Sequence, residues 1–238
     1  MIDFNIAKKA FKDYVASFDI NNSKIRLKIE HTYKVVEACE YIAKDLKLNE
    51  EDINLAKLIG LLHDIGRFKQ LKNFKDNLIR KFLAEETYDN IIEKAIRNHN
   101  KYKIEDNLSE RELLFSKIIR DGDKMDNFRV KEIEKIETLF DISEEEFELE
   151  SISDNIYNDF INCKMILKSD RKTHMDMWIS YLAFIFDFNF SSGLRFLKDN
   201  NYINIVIDRI DYKNPDTKEK MKNIKKVAND YINKKLAL

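Results

Sequence analysis

The stretch with most capacity for chemistry is Leu55–Phe68, LAKLIGLLHDIGRF, an apolar helix that ends on a histidine and an aspartate. Ile53, Leu55, Ala56, Leu58, Ile59, Leu61 and Leu62 cover most of its circumference, and only Lys57 interrupts them. A helix that is apolar all round is a buried one. His63 and Asp64 fall in its last turn, and Gly66 stands where a helix is closed off. Burying an imidazole beside a carboxylate is costly unless both are compensated, and a metal ion compensates both. The plainer alternative is a satisfied core histidine next to a solvated aspartate. The buried helix, the closing glycine and the Arg67 that follows favour half of a metal site.

The other half must come from neighbouring helices. A long helix over about residues 25–46 carries the stripe Ile25, Ile29, Val36, Cys39, Ala43 and Leu46. His31 lies just beside it, on a line with Leu27, Val35, Ala38 and Ile42. Alone it reads as core filler, and it gains a role only if another ligand is brought opposite. Ser109 caps a further helix, ELLFSKIIRDGDKMDNFRV, in which Leu114, Ile118 and Met125 form a buried stripe. Asp123 shares its face with Ile119 and points inward, while Gly122 beside it permits close approach. Asp121 and Asp126, assigned to other lines of the helix, read as structural or outer-shell carboxylates. His99 ends the helix YDNIIEKAIRNHN, started by Thr87 or Asp89; there it either complements the helix dipole or faces a pocket. Two imidazoles and two carboxylates make a mixed N/O set that suits Mn, Fe, Ni, Co, Zn or Mg.

The remaining elements are helical as well. One proline and four glycines in 238 residues leave little material for hairpins. Asp3 caps an amphipathic helix running to about Phe18, with Phe4, Ala7, Phe11 and Val15 on one face, and Asn49 caps the helix that reaches His63. The segment 69–77 is a polar connector, followed by a short helix over 78–84. The acidic run from Lys131 to about Ser153 reads as a solvated helix plus loop. Helices follow over about 154–167, 173–189, 191–199 and 201–212, and Asn214-Pro215 opens the last one. His174 takes a surface or cap position, and Phe184, Phe186, Phe188, Phe190 and Phe196 read as core aromatics. With no repeat and no low-complexity linker, residues 1–238 read as a single all-α domain. Lys+Arg 42 against Asp+Glu 43 argues against general nucleic-acid binding. Cys39 and Cys163 read as reduced thiols. No apolar run approaches the ~18 residues of a membrane span, and the N-terminus lacks an h-region, so a soluble cytoplasmic protein is expected.

The order His31, His63-Asp64, Asp123 resembles the HD superfamily of metal-dependent phosphohydrolases, whose pattern is H…HD…D. The matching pieces are EHTYKV, GLLHDIGRF and IIRDGDKMDNF, the last having the Asp followed by Lys and an apolar residue. The resemblance covers about residues 25–130. It implies an HD-domain helical bundle, with residues 150–238 as a helical C-terminal elaboration. It further implies that His31, His63, Asp64 and Asp123 hold one divalent ion, that Asp64 also handles protons, and that Arg67 and Lys124 grip phosphate. A bound ion lowers the pKa of water from ~15.7 toward neutrality, so that a metal-bound hydroxide attacks phosphorus. The substrate class is then a nucleotide or another small phosphate ester, cleaved as a monoester or a diester.

One departure matters. Residues 65–98 contain no histidine, whereas two-metal HD proteins usually carry more there. A single ion is therefore expected, with His99 lining the pocket or touching the substrate phosphate. The short 70–76 connector motivates an alternative: a catalytically weak or inactive HD-fold module that binds metal or nucleotide and signals. A third reading is a plain helical interaction protein whose histidines are structural. The sequence is silent on the substrate's identity and on oligomeric state.

Overall fold

Short polar side chains start the helices where the sequence places them. Asp3, Asn22, Asn49 and Asn214 each accept a hydrogen bond from a first-turn backbone N–H. Ser109 and Glu112 close a reciprocal pair, each backbone N–H donating to the other's side chain. The computed structural model describes residues 2–65 and 88–237. Gly66, Arg67, Phe68, the 69–77 connector, the 78–84 helix and Thr87 lie outside the described residues.

Among the described residues the regular structure is helical and contains no strand. The chain divides into two compact units, residues 1–126 and 127–238, where the sequence reads as one domain. The first unit holds α1 (Phe4–Val15), α2 (Ser23–Asp45), α3 (Glu50–Leu62), α4 (Asp89–Asn98) and the start of α5 (Glu110–Ile133). Phe4, Ala7, Phe11 and Val15 are the buried face of α1, as their spacing predicts. From Leu58 to Leu62 every residue of α3 is buried.

Two glycines set how closely the helices of this unit approach. A Cβ on Gly60 of α3 would meet Val36 Cα at 3.2 Å and Cys39 Sγ at 3.3 Å. A Cβ on Gly122 of α5 would meet the same sulfur at 2.8 Å and Cys39 N at 3.4 Å. Both helices therefore lie against one turn of α2, residues 35–39. Cys39 is fully buried, and burial pushes its thiol pKa well up, so it serves as a packed neutral sulfur.

The second unit continues with α6 (Ile136–Phe140), α7 (Glu144–Leu149), α8 (Asp154–Ile161), α9 (His174–Leu182), α10 (Ser191–Asp199), α11 (Tyr202–Asp208) and α12 (Pro215–Leu236). The acidic run is not simply a solvated face. Phe147 within it is fully buried, stacked on Phe140 at 5.4 Å and edge-on to Trp178 at 5.6 Å. Ile136 and Phe147 of the two short helices here join the core, and Glu148 is buried beside Phe147. The expected helix over 154–167 stops at Ile161, and Cys163 then takes a left-handed φ of 56°. That over 173–189 ends at Leu182 and tightens into a 3-10 segment, Ala183–Asp187. Phe184, Phe186, Phe188 and Phe196 pack against the core while only partly buried. His174 opens α9 and pairs through Nδ1 with Glu150 at 2.7 Å.

Replacing Gly122 by Ala should cost about 1–3 kcal/mol of unfolding free energy, because a new methyl would overlap a buried sulfur. Cys39→Ala in the same background should restore part of that loss in a urea titration. Equal stability of the Gly122→Ala and parent proteins would contradict the close approach.

Candidate metal centre

Helix ends and one helix middle supply the three clustered histidines. His63 and His99 are the residues that close α3 and α4, where the last carbonyls lack intrahelical partners. Each imidazole uses that opening. His63 Nδ1 donates to Gly60 O at 2.7 Å, and His99 Nδ1 donates to Ile96 O at 2.6 Å. Donation from Nδ1 leaves the lone pair on Nε2 and turns that atom away from the parent helix. His31, in the middle of α2, binds Asp126 Oδ2 through Nδ1 at 2.6 Å, and its Nε2 lies 3.1 Å from Asp123 Oδ1. The rings of His31 and His99 each stand 5.4 Å from that of His63, edge to face.

One ligand atom each from His31, His63 and Asp123 lies within 4.8 Å of the others. Bonds of about 2.1 Å to an octahedral ion put trans ligands ~4.2 Å apart, so slight closure would complete the site. Asp64 flanks the cluster: Oδ2 is 3.9 Å from His63 Nε2, and Oδ1 is 3.4 Å from His99 Nε2. His63 Nε2 and His99 Nε2 are buried and have no hydrogen-bond partner among the described residues. An orphaned buried polar atom costs about 1–3 kcal/mol, and a cation among these atoms would remove that cost. The residues present therefore fit a divalent ion of N/O preference.

The electrostatics favour positive charge at this point. Burial pushes the His63 pKa down to about 4, which leaves a neutral imidazole with a free lone pair. Burial also works against charge on His31, but the carboxylates of Asp123 and Asp126 outweigh it and raise its pKa to about 9. The same contest on His99, with Asp64 and Asp123 opposing burial, ends in a raised value. Burial opposes the charge on Asp123, yet its bond to His31 holds it well below the ordinary carboxylate range. A proton is thus stabilised on His31 and His99, while His63 stays neutral.

Of the residues singled out in the sequence, His31, His63, Asp64, His99 and Asp123 come together in the first unit. Arg67 lies outside the described residues. Lys124 follows Asp123 on α5 and is 5% exposed. A cation from α2 reaches the cluster: Lys28 Nζ lies 3.8 Å from Asp64 Oδ2, on a side chain that keeps 35% of its surface. Its signal was the three-residue spacing to His31 on one helix. Arg120 was also missed. Its buried guanidinium donates to Asn98 O at 2.9 Å, Lys101 O at 2.5 Å and Tyr102 O at 3.4 Å, tying α5 to the segment that bears His99. Asp126 is not on a separate line from Asp123, since three residues along a helix share a face.

Elemental analysis of the purified protein should find one divalent ion per chain, and His63→Ala should bring that ratio well below one. A metal-free parent that also fails to take up Mn, Ni, Co or Zn would contradict the site.

No solved structure matches the chain significantly. A 49-residue segment is 39% identical to 3'3'-cGAMP-specific phosphodiesterase 1 of Vibrio cholerae serotype O1, covering 21% of this chain and 11% of that relative. The HD domain family model matches residues 29–128, which include His31, the His63-Asp64 pair, His99 and Asp123. No helix among the described residues is long and apolar enough to cross a membrane. The family match runs over the same helices that bring these side chains together: residues 29–128 match the HD domain.

Proposed function

We propose that this chain is a metal-dependent phosphohydrolase acting on a nucleotide or a related small phosphate ester. The observation that carries the reading is the convergence of His31, His63 and Asp123 on one point within an HD domain. His31, His63, Asp64 and Asp123 would hold the ion. When bound, a divalent ion supplies Lewis acidity, lowering the pKa of water and drawing charge from phosphoryl oxygens.

The chain's own residues do the rest. Asp64 stands between His63 and His99 with one oxygen toward each imidazole, placed to accept a proton from the attacking water. His99 borders the cluster from the α4 side and offers Nε2 to a substrate oxygen or a proton in transit. Lys28 neutralises Asp64 in the resting protein and can swing to a substrate phosphate, because its ammonium is at ion-pair distance and its stem is partly exposed. Asp123 keeps 20% of its side-chain surface and His31 13%, while that of His63 is fully covered. Substrate therefore approaches from the Asp123 and His31 side.

The similarity to a cyclic dinucleotide phosphodiesterase supports testing phosphodiesters first. The test is a panel of cyclic dinucleotides, mononucleotides and simple phosphomonoesters, assayed with Mn, Ni, Co and Mg. Hydrolysis of at least one class is expected, and Asp64→Ala should lower its kcat by roughly 10²–10⁴-fold. Full activity in Asp64→Ala would sink the mechanism. An ion-loaded protein inert to the whole panel would favour the non-catalytic binding module.

A further inference from the structure

Two of the three clustered histidines orient themselves with carbonyls of their own helix ends, and the third has none to use. His63 and His99 stand where α3 and α4 close and donate to Gly60 O and Ile96 O. His31 lies within α2, Ser23–Asp45, where the backbone carbonyls are occupied by the helix's own N–H groups. An acceptor for its Nδ1 must come from another element. Asp126, on the face of α5 that carries Asp123 one turn earlier, supplies it at 2.6 Å and is only 4% exposed.

We infer that Asp126 is a positioning residue for the metal centre: it fixes His31 with the proton on Nδ1 and the Nε2 lone pair turned toward Asp123 and His63. This rests on the metal-dependent reading above. A carboxylate acceptor is stronger than the backbone carbonyls that serve His63 and His99, so it also makes the His31 Nε2 a better donor to a cation. Arg120, Asp123 and Asp126 then follow one another at three-residue steps along α5. The first ties down the chain after His99, the second faces the ion position, and the third aligns His31.

The test is Zn(II) and Mn(II) affinity by calorimetry for the parent, Asp126→Asn and Asp126→Ala, with the His31 imidazole followed by ¹⁵N NMR in the Zn(II) form. The alanine variant should bind about 10–100-fold more weakly. The asparagine variant keeps an acceptor oxygen of nearly the same shape and should fall between the two. In the parent the Nδ1 proton of His31 should resonate far downfield, moving upfield in the asparagine variant and further or vanishing in the alanine one. Should the alanine variant fail to fold, weakened binding and a shifted resonance in the asparagine variant still decide in favour. Parent-like affinity and resonance in a folded variant would overturn the positioning role while leaving the metal centre standing. A parent that binds neither ion would overturn both.

Discussion

The candidate metal centre depends on how closely three helices can lie together, and that is set at a single turn of α2. Gly60 and Gly122 present bare backbone to Val35–Cys39 from two sides. A side chain at either position would hold α3 or α5 away by a fraction of an ångström or more. The histidine of α2, that of α3 and the aspartate of α5 would separate accordingly. Since their donor atoms span 4.8 Å, there is little slack for such a shift. Packing at the residue beside Asp123, and at the residue whose carbonyl holds His63, thus fixes the distances between these donor atoms.

The second requirement is orientation. An imidazole ring can present either nitrogen, and in each of the three clustered histidines Nδ1 is taken by a fixed acceptor. Two acceptors arise from helix ends and therefore come with the fold. The third comes from a buried carboxylate, which adds negative charge to that of Asp64 and Asp123. The consequence is a buried cluster in which carboxylates outweigh desolvation at His31 and His99, while at His63 burial wins and leaves a neutral imidazole.

Much of this was legible in the chain itself, because helical periodicity and capping are local signals. The burial of α3, the face of α1, the caps at Asp3, Asn49 and Asn214, and the close approach at Gly122 all follow from residue type and spacing. What escaped depends on partners distant in sequence. Arg120 reads as one more cation until its targets, the carbonyls after α4, are seen beside it. Lys28 gives no sign of its link to Asp64 beyond sharing a face with His31. The acidic stretch before Ser153 hid Phe147 because charge counts say nothing about which single ring turns inward.

The central claim is that imidazole nitrogens and carboxylate oxygens from α2, α3 and α5 share one cation. X-ray absorption spectroscopy of the Zn(II)-loaded protein addresses it most directly. The expected result is a first shell of nitrogen and oxygen at about 2.0–2.2 Å, with the outer scattering of at least two imidazoles and no sulfur. A shell of water oxygens without imidazole scattering, or one containing sulfur, would contradict it.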